Sequence, residues 1–178
     1  MERRVRRMNL KKLVTAAVCT MLMAAVAFTA GCGGEKKSDK KVLKVGMECA
    51  YAPYNWSQTK ADGGAVKIAG SNEYAYGYDV MMAKKLADSM GADLEIHKIE
   101  WDGLAPAVVS GKIDAAIAGM SITSKRKETV DFTKPYYYAT VVALVKKDSE
   151  QAKAQSVADL KGSVATSQLN TIWYDQID

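Results

Sequence analysis

Strand-like and helix-like segments alternate in a fixed order over residues 43–118, and this order limits the possible folds more than any other feature. Leu43, Val45 and Met47 alternate with Lys44 and Gly46, which is typical of a β-strand. Helical, strand, helical and strand segments follow at 79–90, 94–99, 102–110 and 113–118. The order βαβαβ predicts a parallel sheet with right-handed crossovers, and therefore an α/β fold.

The pattern also predicts how the first helix begins, ends and packs. Asp79 can cap its amino end, and Gly91 is a typical stop after Met90. Because Met82, Leu86 and Met90 recur at helical spacing, we expect these three side chains to lie in the core. Asp102 is the corresponding candidate cap for the second helix.

A hairpin is predicted between the first strand and the first helix. Residues 56–76 are polar and rich in glycine, with one short apolar run, VKIA, at 66–69. Such a segment adds strands at the side of a domain without contributing to its parallel sheet.

Two loops follow predicted strands, at the end where open α/β sheets bind ligands. One covers residues 48–54, and the other runs from Gly119 to Arg126. Gly119 allows close approach of the backbone to a ligand, and Thr123 or Ser124 can cap a short helix that carries Arg126. A guanidinium group beside free N–H groups binds carboxylates, so the second loop predicts a carboxylate site. For this loop alone, a solvated arginine is the alternative.

Several longer sequence pieces occur in a specific order: YAPY (51–54), GYDV (77–80), WDGLAPAV (101–108), GKIDAAIAGMSIT (111–123) and, after Arg126, DFTKPYY (131–137). Through these pieces, the chain from Lys44 onward resembles the family 3 solute-binding proteins, the amino-acid receptors of ABC importers. The resemblance implies the type II periplasmic-binding-protein fold, in which two α/β lobes are joined by a hinge.

We expect the chain to have four parts, the last two from the resemblance and the first two from the residues that precede it. They are a lipoprotein signal peptide at 1–31, a flexible tether at 32–41, a first lobe at 42–138, and a hinge strand with the start of a truncated second lobe at 139–178. The run YYYATVVALVKK is apolar and β-branched, which predicts the hinge strand. A short helix at 156–161, a strand at 163–166 and a helix start at 171–177 should follow.

The net charge of +5 comes entirely from residues 1–31. The rest of the chain contains 19 of the 25 basic residues and 19 of the 20 acidic residues, so no basic surface is expected for binding nucleic acid. The positive start is followed by an apolar run from Leu13 to Ala30 and then by Gly31 and Cys32, which predicts a secretory signal that ends in a lipobox.

Cleavage of that signal would leave Cys32 as a lipidated amino terminus that fixes the domain to a membrane. An uncleaved membrane anchor is the alternative. Both place the domain outside the cytoplasm, in the periplasm if the cell has two membranes. Cys49 then has no disulfide partner and is expected to be a packing residue.

By resemblance, Arg126 pairs with the α-carboxylate of an amino acid, helped by the backbone around Gly119 and by Ser121, which also holds the α-amino group. Tyr51 and Trp101 correspond to side chains that surround the ligand. The full set of predicted binding residues is Glu48, Tyr51, Trp101, Gly119, Met120, Ser121, Arg126, Gln168 and Thr171.

Two of these assignments depend on further features. Glu48 falls where some family members place an acid against a cationic side chain, so a lysine- or arginine-like ligand would fit. A solvated acid at Glu48 and a packing role for Trp101 are the alternatives. The Gln168 to Thr171 segment resembles a Gln-x-Gly-Thr turn, with Asn170 in place of glycine, and asparagine also tolerates a left-handed backbone.

We therefore expect a lipid-anchored monomer that binds a free polar amino acid and presents it to the transmembrane subunits of an ABC permease. No metal, cofactor, nucleic acid or catalytic residue is expected. Because the resembled proteins bury the ligand between two lobes, we expect this truncated chain to bind weakly or not at all. The alternatives are a periplasmic dehydratase of the cyclohexadienyl or arogenate type, with Glu48 as general acid, and the ligand-sensing domain of a receptor.

Overall fold

The computed structural model describes residues 40–177. The predicted signal peptide, the lipidation at Cys32 and most of the predicted tether lie outside these residues. A compact unit begins at Lys40. Within residues 40–177, no helix combines the length and apolar character required to cross a membrane.

The central sheet has three parallel strands in the order β6-β1-β7. They are β1, Val42–Met47, β6, Asp93–Lys98, and β7, Ala115–Ala116. In the register of the sheet, Val45 of β1 lies opposite Ile96 and Ala115. Leu43, Val45 and Met47 are buried, as their alternation predicts. The parallel α/β arrangement predicted from the sequence is therefore present.

The predicted hairpin region forms a second, antiparallel sheet in the order β2-β3-β5-β4. Its strands are β2, Ala50–Tyr51, β3, Asn55–Gln58, β4, Val66–Lys67, and β5, Tyr74–Tyr76. Ile68, directly after β4, forms an isolated parallel bridge with Ile96 of β6. This bridge joins the small sheet to the edge of the central one.

Three α-helices complete the described fold: α1, Tyr78–Met90, α2, Leu104–Val109, and α3, Ser124–Lys127. As expected, α1 ends at Gly91, which has a left-handed φ of 62°. The caps predicted for the first two helices were wrong. Gly77 and Gly103 occupy the cap positions, because the side chains of Asp79 and Asp102 bind residues distant in sequence instead.

The packing face predicted for α1 was also wrong. The buried positions are Asp79, Val80, Ala83 and Ala87, whereas Leu86 is 40% exposed and Met90 is 53% exposed. Both sets of residues have helical spacing, so periodicity alone does not choose between them. The set with small side chains faces inward because it lets the helix approach the sheet closely.

Residues 139–177 match the predicted pattern only in part. No strand forms at 136–147 or 163–166. The helices predicted at 156–161 and 171–177 are present as short 3-10 helices, Val157–Leu160 and Tyr174–Gln176, and a third, Glu150–Lys153, was not predicted. The predicted hinge strand is therefore wrong for the described residues. Its apolar composition favours a strand, but a strand needs a partner for its backbone groups, and within residues 40–177 this segment has none. Leu144 is accordingly fully exposed.

Candidate functional site

One cleft lies at the carboxyl end of the central sheet, with an empty volume of about 360 Å³ that is partly open to solvent. Its walls come from the loop after β1, the turn before α2, the loop between β7 and α3, and the segment 168–173. The lining residues are Glu48, Tyr51, Trp101, Ala118, Gly119, Ser121, Arg126, Gln168, Thr171, Ile172 and Trp173.

The cleft brings together eight of the nine residues that the sequence predicts for the site. The exception is Met120, which packs against the hydrophobic core. Sequence reasoning missed Ala118, Ile172 and Trp173. Ala118 and Ile172 are next to predicted residues in the chain and Trp173 is two positions from one, so the only available signal was their position beside segments already identified.

Arg126 is held at the cleft by its own loop. Thr123 caps α3, and its hydroxyl oxygen accepts a hydrogen bond from the Arg126 backbone N–H at 3.2 Å. The Arg126 guanidinium donates to the Ser121 carbonyl at 2.7 Å and to the Asn170 carbonyl at 3.0 Å. A guanidinium has five N–H donors, so donors remain for a carboxylate. Burial lowers the pKa of Arg126, and nearby Asp175 opposes this shift, but an arginine stays charged in proteins.

Asn170 contacts residues at the cleft through both its backbone and its side chain. Its φ of 59° is left-handed, as the turn resemblance requires. Its carbonyl oxygen also accepts from the Trp101 indole at 3.0 Å, while its side-chain amide donates to Asp102 at 2.9 Å. The turn therefore presents a backbone acceptor to Arg126 at this position.

Glu48 directly follows β1 and lines the same cleft. Its carboxylate accepts a hydrogen bond from the Gln168 side-chain amide at 3.0 Å. An ionised carboxylate has about four lone-pair sites, so it can also accept from a cationic ligand group. Thr171 is buried, and its hydroxyl donates to the Gln168 carbonyl at 2.6 Å. This bond fixes the turn that carries Gln168.

The Gly119 turn is the place where the backbone approaches an aromatic wall. Gly119 has a left-handed φ of 63°, and a Cβ added there would lie 3.4 Å from the Tyr51 ring. Tyr51 in turn stacks on Tyr54, with ring centroids 5.0 Å apart. The added Cβ would make only an ordinary contact, so the glycine is needed here for its left-handed backbone conformation.

Three polar residues to which sequence reasoning assigned no role in the site are hydrogen-bonded to one another: Asn55, Asp79 and Tyr136. Tyr136 donates to the Asp79 carboxylate at 2.7 Å. Burial raises the pKa of Asp79, opposed by the hydrogen bonds from Tyr136 and Asn55, and burial together with the Asp79 charge raises the pKa of Tyr136. Two of them, Asp79 and Tyr136, lie in the GYDV and DFTKPYY pieces, which were the only signal for them.

Among residues 40–177, no group of three or more His, Cys, Asp or Glu side chains is arranged to hold a metal ion.

This chain is similar to known proteins over most of its length. The model of the family described as bacterial extracellular solute-binding proteins, family 3, matches residues 43–176. The arginine-binding extracellular protein ArtP of Bacillus subtilis (strain 168) is 32% identical over 160 residues, which cover 90% of this chain and 56% of that protein. The ABC transporter arginine-binding protein 1 of Escherichia coli (strain K12) is 32% identical over 153 residues, which cover 86% and 52%.

A third relative has a different ligand in its name. The L-cystine-binding protein TcyJ of Escherichia coli (strain K12) is 30% identical over 127 residues, which cover 71% of this chain and 43% of that protein. The chain thus spans about half the length of the curated relatives it matches. Among solved structures, an ancestral arginine-binding protein bound to arginine is 35% identical, with a TM-score of 0.45 and coverage of 56% of this chain and 39% of that one.

Proposed function

The chain belongs to the bacterial extracellular solute-binding proteins of family 3, and on that premise we propose that its cleft binds a free polar amino acid for uptake by an ABC importer. The observation that carries the proposal is the position of Arg126. Its guanidinium borders the cleft and is bonded to two neutral carbonyl groups, so its charge is not neutralised by them. A carboxylate is the ligand group that such an arginine binds best.

A second charged residue of the cleft, Glu48, favours a ligand with a cationic side chain. Glu48 supplies a negative charge, Gln168 supplies an amide beside it, and Tyr51 supplies an aromatic face. An amino acid lying between Arg126 and Glu48 would place its carboxylate on the first and a positive side chain on the second. We therefore propose a lysine- or arginine-like ligand, and two similar proteins are named for binding arginine.

Cellular placement is proposed from the sequence before the described residues. The apolar run and Cys32 support a signal peptide and a lipid anchor on the outer face of the cell membrane. From there the domain, as a monomer, would deliver its ligand to the transmembrane subunits of an ABC permease.

Binding rather than catalysis is part of the same proposal. Among the described residues that line the cleft, Glu48 is the single carboxylic acid, and it is already bonded to Gln168. A dehydratase would need a general acid that donates a proton, whereas in this arrangement the Glu48 carboxylate is a hydrogen-bond acceptor. Turnover of prephenate or arogenate by the purified protein, lost in Glu48→Gln, would instead support the dehydratase.

Thermal unfolding of the purified protein with each of the common amino acids tests the proposal. A ligand that binds only the native state raises its stability, by about 2.7 kcal/mol at 100 times its Kd. We expect arginine or lysine to raise the transition temperature, and Arg126→Ala to remove the effect. Lys125→Ala, at an exposed neighbour on α3, is the matched control. If no amino acid raises the transition even at millimolar concentration, the proposal is wrong.

A further inference from the structure

The two loops that border the cleft are each linked to one buried carboxylate, that of Asp79, through a single intervening side chain. On one side, the Cys49 backbone N–H donates to the Asn55 side-chain oxygen at 2.8 Å, and the Asn55 amide donates to Asp79 at 2.7 Å. On the other side, the Gly119 backbone N–H donates to the Tyr136 hydroxyl at 3.0 Å, and that hydroxyl donates to Asp79 at 2.7 Å. Asp79 is thus the shared centre of a four-bond network.

The direction of every bond in this network is determined by its chemistry. Tyr136 has one hydroxyl hydrogen, and since its oxygen accepts from Gly119, that hydrogen goes to Asp79. Asn55 turns its oxygen toward Cys49, so its amide hydrogens face Asp79. Asp79 therefore accepts at both carboxylate oxygens. An amide at position 79 could accept at only one of its two polar atoms.

Because the centre of the network is buried, the loss of a hydrogen bond there is costly in free energy. Asn55 and Asp79 are completely buried, and a buried polar group that loses its partner keeps the full cost of leaving water. Within residues 40–177, no Lys or Arg forms an ion pair with Asp79. Its charge is stabilised by the two donors and by the amino end of α1, where Asp79 is the second residue.

Each of the two loops leads to one charged side chain that lines the cleft, Glu48 or Arg126. Cys49 directly follows Glu48, and Gly119 begins the loop that leads to Arg126. A network that links both loops to the Asp79 carboxylate also restricts the distance between the Glu48 and Arg126 side chains. That distance sets the length of a ligand that bridges them.

We propose that Asp79 is a positioning residue, which acts through Asn55 and Tyr136 to hold the Glu48 and Arg126 sides of the cleft at a fixed separation. It touches no ligand itself. The effect on ligand affinity rests on the proposed function of the cleft, whereas the coupling between the two loops does not.

Backbone amide exchange in Tyr136→Phe, measured by NMR on the full chain without ligand, tests the coupling. The variant removes the hydroxyl that joins Gly119 to Asp79. We expect the Gly119 and Cys49 amides both to exchange about tenfold faster, as for the loss of one hydrogen bond. Tyr138→Phe removes the same atom from a side chain that is 83% exposed, and is expected to change neither amide.

The response of Cys49 decides the outcome. A purely local role for Tyr136 would change Gly119 alone, and that result would overturn the proposal. Unchanged exchange at both amides would overturn it as well. Asp79→Asn is the second variant, and it should increase exchange at both amides because an amide cannot accept at both positions.

Arginine affinity, measured by calorimetry, separates positioning from stability. We expect Tyr136→Phe to weaken arginine binding about tenfold, while Ile96→Val, a buried variant of β6, lowers the transition temperature and leaves affinity unchanged. Equal affinity in Tyr136→Phe and wild type would contradict a role in the site. If the wild type binds no amino acid, the proposed function fails, and the exchange result still decides whether Asp79 couples the loops.

Discussion

The guanidinium of Arg126 lies 5.3 Å from the centre of the Trp101 indole ring, and both side chains donate to the same acceptor, the Asn170 carbonyl oxygen. The ring holds the guanidinium plane from one face, a contact worth about 1 kcal/mol. The shared acceptor aligns the two donors at one edge. The remaining edge of Arg126 is thereby oriented before any ligand arrives.

Replacement of Arg126 by lysine should weaken amino-acid binding by about tenfold or more, although the charge is kept. An ammonium group cannot contact Ser121, Asn170 and a carboxylate in the geometry of a planar fork. Calorimetric titration with arginine measures the loss, and Lys125→Arg is the control on the same helix. Unchanged affinity would show that only the charge at position 126 matters.

Three substitutions separate the backbone and side-chain roles of Asn170. Asn170→Gly and Asp102→Ala both remove the bond between these residues, so we expect similar losses of stability. Asn170→Ala should lower the free energy of unfolding by about 1 kcal/mol more than Asn170→Gly, because alanine resists the left-handed backbone. Urea unfolding gives these values. Equal stability of the alanine and glycine variants would mean that the turn is not left-handed in solution.

Glu48→Gln should change which amino acids bind. The variant can still accept from Gln168, but it loses the negative charge, so affinity for arginine and lysine should fall about tenfold while affinity for glutamine is kept. Competition against a labelled amino acid measures this ratio. Glu73→Gln, which removes an acid paired with Lys98 at 3.7 Å, is the control. A parallel loss for all amino acids would contradict contact between Glu48 and the ligand side chain.

Cys49 should resist alkylation in the folded protein. Burial raises its pKa from 9.0 to about 11, and only the thiolate reacts. Because the folded-state pKa is raised, the contribution of this thiol to stability is fully present below pH 9 and is lost as the pH rises through about 11. Iodoacetamide labelling with peptide mapping, in native buffer and in denaturant, measures accessibility. Rapid labelling of native Cys49 at neutral pH would contradict its buried position.

The parts of the fold that the sequence predicts are those with a local signal. Alternation identifies β1, and loops that follow parallel strands collect at one edge of the sheet, which explains why six of the eight predicted residues line one cleft. The other two, Gln168 and Thr171, were predicted from the resemblance of their turn. Whether these residues hold a ligand remains a proposal.

Other features had no local signal. The bond between Asp79 and Tyr136 joins residues 57 positions apart, and only the folded chain brings them together. Which face of α1 packs inward depends on the fit of small side chains, and the periodicity of the sequence does not show that fit. Residues 137–146 have a high strand propensity, but within the described residues no other strand pairs with them, so no strand forms.

The close packing of α1 gives positions far from the cleft an influence over it. Ala83 and Ala87 are buried in the hydrophobic core, and extra methylene groups in a packed core force side-chain and backbone shifts. A valine or leucine in place of Ala83 would displace the helix outward. Asp79, one turn earlier on the same helix, would move with it. Affinity could then be tuned from the back of the domain, by substitutions that leave every cleft residue unchanged.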